Sequence, residues 1–250
     1  MILLVDIGNT RVKWSVLSGG ALSPQQAADH SGWSPADWSR HLFAQPGISR
    51  VVAASVAGHE RMELLRAAAR EQAGCGVEVV ASTGAAAGVR NAYPEPRLLG
   101  VDRWLAVIAA HHLTRAPCCV VDVGTATTID AVSGDGQHLG GFIVPGPRLM
   151  AASLLRGTSN LAAHSAASVS DGGAQFANNT RDAIERGAVV ALASLADRSV
   201  ADLAQLSGAP AVLIVTGGAA SLVMPFLRCT PRHVPDLVLQ GLAVLATRSG

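Results

Sequence analysis

The chain begins with the stretch Met1-Ile-Leu-Leu-Val-Asp6-Ile-Gly8-Asn9-Thr10-Arg11-Val12-Lys13. Apolar residues lead into the carboxylate of Asp6, and Gly8 is able to adopt the positive φ that tight turns use. After this turn, apolar and polar residues alternate, which is the period of a strand with one buried face. The stretch therefore predicts a β-hairpin with a polar tip and several free backbone N–H groups.

A hairpin tip of this kind suits a phosphate group and its metal ion. Successive turn amides form an anion-binding nest, and an aspartate such as Asp6 can hold Mg²⁺ or its waters. The alternative is an ordinary surface hairpin with an Asx turn. Both interpretations fit the tip when it is considered alone.

The layout of the first hairpin recurs in the middle of the chain. The stretch Cys118 to Val132 again has an apolar run, then Asp122-Val-Gly124-Thr125, then a second strand that ends at a glycine-rich turn. Internal repetition is a signature of architecture. We therefore predict two duplicated domains, 1–116 and 117–250, with the two hairpin tips facing one another across a cleft.

Composition narrows the class of protein. Of the 250 residues, 49% are hydrophobic and 15% are charged, and the formal net charge is +1. These values fit an α/β protein with buried strands and argue against disorder. No basic run occurs, so the sequence offers no electrostatic basis for binding nucleic acid.

The expected cellular compartment follows from two features that the sequence does not show, a signal peptide and a membrane-spanning segment. The apolar start reaches a carboxylate after five residues, too soon for a signal peptide, and no stretch is long and apolar enough to span a membrane. We therefore expect a cytoplasmic protein with no membrane contact. Its four cysteines have no zinc-ligand spacing and are expected to be structural thiols. They are Cys75, Cys118, Cys119 and Cys229.

Strands alternating with helices follow each hairpin, as is typical of α/β domains. Helices are predicted at 35–43, 60–73, 101–113, 149–155, 180–206 and from 236, and further strands at 49–55, 77–81, 139–145 and 211–215. Segment 89–100 is expected to be extended because prolines bias the residues before them away from the α region. Segment 159–174 has little periodicity and is expected to be a loop.

Asp102 stands at the start of a helix that is apolar nearly all round. Such a helix is buried, so its first turn should lie near the centre of the molecule. An aspartate at a helix start is commonly a cap. It can equally be a carboxylate that orients a reacting hydroxyl. The local pattern favours the cap.

The common nucleotide-binding and hydrolase motifs are absent from the sequence. It has no Walker A motif, no Rossmann fingerprint, no Gly-x-Ser-x-Gly elbow and no pair of histidines at ligand spacing. Two Asp-x-Gly tips, the carboxylate of Asp102 and a late Gly217-Gly218 remain. They suffice for phosphoryl transfer, in which the protein mainly positions substrates and neutralises charge.

Seven segments, in order and over almost the whole chain, resemble the type III pantothenate kinase family. They are Asp6-Ile-Gly-Asn-Thr10, Tyr93-Pro-Glu95, Gly100-Val-Asp-Arg-Trp104, Asp122-Val-Gly-Thr-Ala-Thr-Thr128, Gly140-Gly-x3-Pro-Gly146, Asn179-Thr180 and Thr216-Gly-Gly218. The hairpin starts alone would indicate only the wider actin-like, Hsp70-like and sugar-kinase superfamily. The third and fourth segments are the specific ones.

The resemblance implies two actin-like, ribonuclease H-like domains, each a mixed β-sheet flanked by helices, with the active site in the cleft between them. It implies ATP-dependent phosphorylation of pantothenate to 4′-phosphopantothenate, the first step of coenzyme A synthesis. It also implies Mg²⁺, a monovalent cation (K⁺ or NH₄⁺) and a homodimer whose interface completes the substrate site.

The family's site residues carry over by position. The ATP-binding residues would be Asp6, Ile7, Gly8, Asn9, Thr10, Arg11, Val12, Lys13 and Thr125, with Asp6 near Mg²⁺ and Asp122 at the monovalent cation. The substrate site would comprise Tyr93, Gly100, Val101, Asp102, Arg103 and, from the partner subunit, Thr180. In this assignment Asp102 is the proton acceptor, in preference to a simple cap, and Arg103 pairs with the substrate carboxylate.

Two departures and two rival functions accompany the resemblance. In the first loop, Arg11 stands where the family usually has an aliphatic or polar residue, and its side chain points either at a phosphate or at solvent. Trp14, in the same loop, often has a smaller counterpart in the family. The second departure is segment 157–175, which matches nothing in the family pattern. One rival is a non-enzymatic transcriptional accessory protein on the same fold. The other is a sugar kinase or exopolyphosphatase of the same superfamily.

Overall fold

The computed structural model describes residues 1–157 and 176–247. Its strands are β1 (Ile2–Ile7), β2 (Arg11–Ser18), β3 (Ala21–Leu22), β4 (Gln26–Asp29), β5 (Arg50–Ser55), β6 (Val77–Val79), β7 (Ala85–Ala86), β8 (Val89–Arg90), β9 (Cys118–Val123), β10 (Ala126–Val132), β11 (His138–Pro145), β12 (Val212–Thr216) and β13 (Arg232–His233). Its α-helices are α1 (Pro35–Leu42), α2 (His59–Ala73), α3 (Val101–Thr114), α4 (Pro147–Gly157), α5 (Thr180–Ser207), α6 (Ala220–Val223) and α7 (Leu237–Ala246). Short 3₁₀ helices cover Pro96–Leu98 and Met224–Phe226.

The chain divides into two compact units, each built on a mixed sheet. One unit comprises Met1–Leu113 with Asp236–Gly250, and the other comprises Thr114–Pro235. The first sheet has the order β3-β2-β1-β5-β6, with β4 also paired to β2. The second sheet has the order β11-β10-β9-β12-β13.

The two sheets repeat one pattern of strand directions. In the first, β1 runs antiparallel to β2 and parallel to β5, which is parallel to β6. In the second, β9 runs antiparallel to β10 and parallel to β12, which is parallel to β13. The structure thus confirms the duplication of an α/β unit that the two similar hairpins predicted.

Helices cover both faces of the first sheet. Leu3, Val5 and Ile7 pack on one face with residues of α1 and α2. Because side chains alternate along a strand, Leu4 and Asp6 lie on the opposite face, where α7 packs on β1, β2 and β5. The strands are therefore buried on both sides, as the near-continuous apolar run of β1 requires.

The last helix belongs to the first unit rather than to the second. Gly241 of α7 lies so close to α3 that an added Cβ would be 2.2 Å from the backbone oxygen of Leu105. The sequence division at residues 116 and 117 assigned this segment to the second half. The local sequence does not reveal that the last helix belongs to the first unit, because this depends on contacts between residues more than a hundred positions apart.

Most predicted elements are confirmed, with small shifts at their ends. The helix at 35–43 ends at Leu42 and has Ser34 as its N-cap, where Ser34 and Asp37 form a capping box. The strand at 77–81 stops at Val79. The pairing of β4 with β2 was not predicted. The loop expected at 159–174 lies outside the described residues.

The cysteines are free thiols, as the sequence predicted. Burial raises the pKa of Cys118 to about 11 and that of Cys119 to about 12. Thiols with such values are largely protonated near neutral pH and react poorly. None of the helices in the described parts of the chain is long and apolar enough to cross a membrane.

Candidate active site

The first hairpin tip is a four-residue connection, 8–11, between the paired residues Ile7 and Val12. Gly8 N–H donates to the backbone oxygen of Arg11 over 2.9 Å, and the next two side chains, Asn9 and Thr10, are exposed with that of Arg11. Gly8 is not among the glycines with positive φ, so the turn does not use the left-handed conformation that glycine allows. Its small size matters instead, because an added Cβ would be 3.1 Å from the Arg11 oxygen.

Asp6 and Lys13 face one another across the hairpin. They are directly paired in the β1–β2 register, and Lys13 Nζ lies 3.9 Å from Asp6 Oδ2. Asp6 is 7% exposed, whereas the Lys13 side chain is 24% exposed. The pair therefore places one carboxylate and one ammonium group beside the tip, with the ammonium reaching solvent.

Two of the predicted ATP-binding residues turn their side chains away from the tip. Ile7 and Val12 are fully buried in the core against α1 and α2. Any contact of these two residues with a ligand must therefore come from their backbone atoms. The exposed side chains at the tip are those of Asn9, Thr10 and Arg11.

His30 contacts this tip and was missed by sequence reasoning. The ring Nε2 lies 2.8 Å from the backbone oxygen of Gly8, and the ring is buried. The histidine is 22 residues from Gly8 in the chain. No local pattern connects the two, because the contact depends on the pairing of β4 with β2.

The second hairpin tip is shorter by one residue. Residues 124–126 connect the paired residues Val123 and Thr127. The exposed Thr125 lies in this connection, and its backbone oxygen accepts a 2.8 Å hydrogen bond from Gly146 N–H. A Cβ on Gly146 would be 2.1 Å from the Gly124 oxygen. The turn before α4 is therefore packed directly against this tip.

Asp122 lies beside Gly217, at the end of the neighbouring strand. A Cβ on Gly217 would be 2.4 Å from Asp122 Oδ1 and 2.5 Å from the backbone oxygen of Val123. Gly217 has a φ of +95°, which also favours glycine. The late Gly-Gly of the sequence thus brings backbone against the Asp122 carboxylate.

Asp102 is the second residue of α3 and is partly buried. Its Oδ1 accepts a 2.8 Å hydrogen bond from the Arg103 backbone N–H, an amide of the first turn that has no partner within the helix. A Cβ on Gly100 would be 2.6 Å from the same oxygen. Asp102 is therefore a first-turn residue that bonds a free amide of the helix start, not the N-cap itself, and the glycine before the helix leaves room for its carboxylate.

Arg103, the residue after Asp102, forms a pair with Tyr93. Arg103 Nη1 donates to the Tyr93 hydroxyl over 3.1 Å, and Arg103 Cζ lies 5.8 Å from the ring centroid. Arg103 is only 6% exposed. Arginine is rarely buried to this extent, and its planar fork matches a carboxylate. Val101 precedes Asp102 as the first residue of α3 and is partly buried.

Thr180 is the first residue of α5 and follows its N-cap, Asn179. The Asn179 side chain accepts a 3.0 Å hydrogen bond from Asp182 N–H. Thr180 also borders a cavity of about 480 Å³ whose other lining residues are Met150, Leu154, Ala183, Ile184, Gly187 and Ala188. The predicted site residues thus divide between the units, with 6–13 and 93–103 in the first and Asp122, Thr125 and Thr180 in the second.

Metal binding at these positions would rely on single carboxylates. Among the described residues, no group of three or more His, Cys, Asp or Glu could hold a metal ion. Mg²⁺ in phosphoryl-transfer enzymes is commonly bound through one or two carboxylates and the substrate phosphates. A single carboxylate such as that of Asp6 is therefore compatible with this ion. The Asp122 carboxylate beside Gly217 is a hard oxygen donor, whereas the neighbouring Val123 backbone oxygen already accepts a 2.9 Å hydrogen bond from Ala219 N–H.

A protein-family model described as type III pantothenate kinase matches residues 2–202. This chain belongs to the type III pantothenate kinase family. A protein of that name from Aromatoleum aromaticum is 40% identical over 246 residues, which cover 98% of each chain. Another, from Herminiimonas arsenicoxydans, is 41% identical over 256 residues, covering 98% of this chain and 97% of its own.

Solved structures establish the fold class at lower identity. A Sinorhizobium meliloti protein described as a 2-dehydro-3-deoxygalactonokinase superposes with a TM-score of 0.61, at 14% identity and with coverage of 100% and 99% of the two chains. The predicted actin-like fold, shared with sugar kinases, is confirmed.

Proposed function

We propose that this chain transfers the γ-phosphoryl group of ATP to the terminal hydroxyl of pantothenate, which gives 4′-phosphopantothenate and begins coenzyme A synthesis. The observation that carries the proposal is the family membership, which extends over residues 2–202. The start of α3 supports it, because Gly100 to Arg103 combine a partly buried carboxylate with a buried guanidinium. Those two groups match the two ends of pantothenate, a hydroxyl and a carboxylate.

In this proposal the two hairpin tips bind the ATP phosphates. Turn amides at 9–11 and 125–126 supply N–H donors, since those of Gly8 and Gly124 already bond within their own tips. The exposed side chains of Asn9, Thr10, Arg11 and Thr125 supply further contacts. Lys13 adds a positive charge close to the first tip. Asp6 would hold Mg²⁺, which neutralises phosphate charge when bound. Asp122 would hold a monovalent cation, K⁺ or NH₄⁺.

Asp102 is proposed as the group that accepts the hydroxyl proton. As the hydroxyl oxygen of pantothenate forms its bond to the γ-phosphorus, the bond from that phosphorus to the bridging oxygen of ADP breaks. The hydroxyl proton then passes to Asp102, and ADP leaves with the electron pair. Because the transition state is loose, a carboxylate that mainly orients the hydroxyl is sufficient.

Arg103 is proposed to bind the carboxylate of pantothenate. Its guanidinium is held by the Tyr93 hydroxyl and lies near the Tyr93 ring, which limits its rotamers. A guanidinium fixed in this way can form a bidentate, charge-assisted pair with the substrate. Gly100, Val101 and Tyr93 would complete this side of the site.

We further propose a homodimer in which Thr180 of one subunit completes the other subunit's substrate site. Exposed apolar side chains on β11 and α4 of the second unit support a self-association surface, namely Leu139, Phe142, Ile143, Leu149 and Leu154. Mixing Asp102→Asn with Thr180→Ala tests this arrangement. Shared sites regain activity on mixing, because one hybrid site is intact, whereas sites within one subunit do not.

The cytoplasm is the proposed compartment, a choice that the free thiols of all four cysteines support. The reaction itself is tested by ADP release with ATP, Mg²⁺ and K⁺ in the presence of pantothenate or glucose, and by phosphate release from polyphosphate. We expect turnover with pantothenate alone. Turnover only with glucose or polyphosphate would assign the chain to another phosphotransferase class. No turnover with any of these compounds, even after K⁺ is replaced by NH₄⁺, would favour a non-enzymatic protein.

A further inference from the structure

His30 lies just after β4 and makes two contacts with the first hairpin tip. Its Nε2 is 2.8 Å from the backbone oxygen of Gly8, and its backbone N–H donates to the oxygen of Thr10 over 3.4 Å. The residue is 2% exposed. One histidine thus contacts both ends of the Gly8–Thr10 segment from the side of the sheet.

The chemistry of the contact defines which ring nitrogen carries the proton. A backbone oxygen only accepts hydrogen bonds, so Nε2 must donate to Gly8. Nδ1 is buried and has no hydrogen-bond partner among the described residues. The ring therefore makes one hydrogen bond, to the backbone oxygen of Gly8, which lies directly after the strand that carries Asp6.

The ring is held in place by rigid neighbours. It packs against the buried Trp38 of α1, with ring centroids 5.8 Å apart, and Trp38 packs edge-to-face on Trp33 at 5.4 Å. The residue before His30 in the chain, Asp29, pairs with Arg11 in the β2–β4 register. Asp29 also accepts hydrogen bonds from the backbone N–H and the hydroxyl of Ser31. Both sides of His30 are therefore fixed.

We propose that His30 is a positioning residue for phosphoryl transfer, which holds the first hairpin tip in its phosphate-binding conformation through the bond to Gly8. The inference rests on the proposed role of that tip in binding ATP. Without this donor, the Gly8 oxygen would rotate toward water or another donor. The neighbouring peptide units of the tip, with their N–H groups, would then reorient as well.

Three variants of the full-length chain test the proposal. His30→Phe keeps a flat aromatic ring and removes the donor, and His30→Gln restores an N–H donor at nearly the same distance from the backbone. The control is His41→Phe, because His41 stacks on Trp33 at 4.6 Å in the same aromatic group and is exposed. The measurements are KM for ATP, KM for pantothenate and kcat, with melting temperature as the index of folding.

We expect His30→Phe to raise KM for ATP by roughly five- to tenfold, the size of one hydrogen bond, with KM for pantothenate unchanged. His30→Gln should recover most of that loss, and His41→Phe should match wild type. An unchanged KM for ATP in a folded His30→Phe protein would overturn the proposal, as would a His30→Gln variant no better than His30→Phe. Wild-type turnover in the same assay reports separately on the proposed function.

A measurement on the unmodified protein covers the case in which His30→Phe fails to fold. With ¹⁵N-labelled histidine, two-bond ¹⁵N–¹H correlations distinguish the tautomers of each ring. We expect the Nε2–H form for His30, and a larger shift for His30 than for His41 when a non-hydrolysable ATP analogue and Mg²⁺ are added. A Nδ1–H form, or a ring that does not respond to the analogue, would contradict the proposal.

Discussion

At the scale of single residues, Gly100 is small because the Asp102 carboxylate lies over it. A Cβ at this position would be 2.6 Å from Asp102 Oδ1, which is the end of a flexible side chain. Gly100→Ala should therefore displace the carboxylate with little effect on melting temperature. We expect kcat to fall by about tenfold or more, since small misplacements of reacting groups are costly.

The control for this substitution is Gly58→Ala, where an added Cβ has nothing within 4 Å. Gly58 precedes α2 and has a φ of −59°, which alanine also adopts. Its kinetic constants should equal those of wild type. A Gly100→Ala enzyme with full kcat would show that the position of Asp102 does not limit the reaction.

The guanidinium of Arg103 is the second residue-scale feature with a testable role. Arg103→Lys keeps the charge but removes the planar fork, which donates to Tyr93 and in our proposal also pairs with the substrate carboxylate. We expect KM for pantothenate to rise roughly tenfold, as for the loss of one charge-assisted hydrogen bond, and KM for ATP to stay constant. The exposed Arg97 provides the matched control, Arg97→Lys. An equal rise in both KM values would argue against a carboxylate-binding role.

At the scale of elements, the second hairpin tip depends on the turn that precedes α4. Gly146→Ala would place a Cβ 2.1 Å from the Gly124 oxygen and 2.7 Å from the Thr125 oxygen. Both are backbone atoms, so the tip itself must shift. We expect a loss of about 1–3 kcal/mol in the free energy of unfolding, as for other overpacked sites, together with a higher KM for ATP.

Gly76→Ala is the comparison for this change, because an added Cβ there meets nothing within 4 Å. Urea unfolding of both variants separates the two effects. If Gly146→Ala destabilised the protein while KM for ATP stayed at the wild-type value, the turn would support the sheet without positioning the nucleotide.

The same scale explains which parts of the site could be predicted from sequence. The hairpins were recognisable because Asp6 and Asp122 each follow an apolar run and precede a glycine. The contact of His30 with Gly8 could not be predicted, because it depends on a strand pairing with no sequence signature. The sequence singled out Gly8 for the positive φ that glycine allows, whereas the folded turn needs its small size beside the Arg11 oxygen.

At the scale of the whole molecule, the chain returns to its first unit after completing the second. The α7 residues Leu237, Leu239 and Leu242 are fully buried, and α7 packs on β1, β2 and β5. The sequence predicted the helix from 236 but not the sheet that it covers. A buried apolar helix face fits either sheet, and only the folded contacts distinguish them.

Leu239→Ala tests the contribution of α7 to stability. Removing a fully buried leucine should cost about 3 kcal/mol of the free energy of unfolding. Leu206→Ala, at a leucine that is 80% exposed, should change it by less than about 0.5 kcal/mol. Equal urea midpoints for the two variants would contradict the packing of α7 on the first sheet.

The measurement that most directly tests the central claim is the rate of phosphopantothenate formation by wild type and by Asp102→Asn. Asparagine keeps an oxygen that can accept from the Arg103 N–H, so folding should be preserved. We expect kcat to fall by roughly a hundredfold or more, within the usual contribution of a general base. Asp37→Asn, at another first-turn carboxylate, should be fully active. A folded Asp102→Asn enzyme with wild-type kcat would contradict the account.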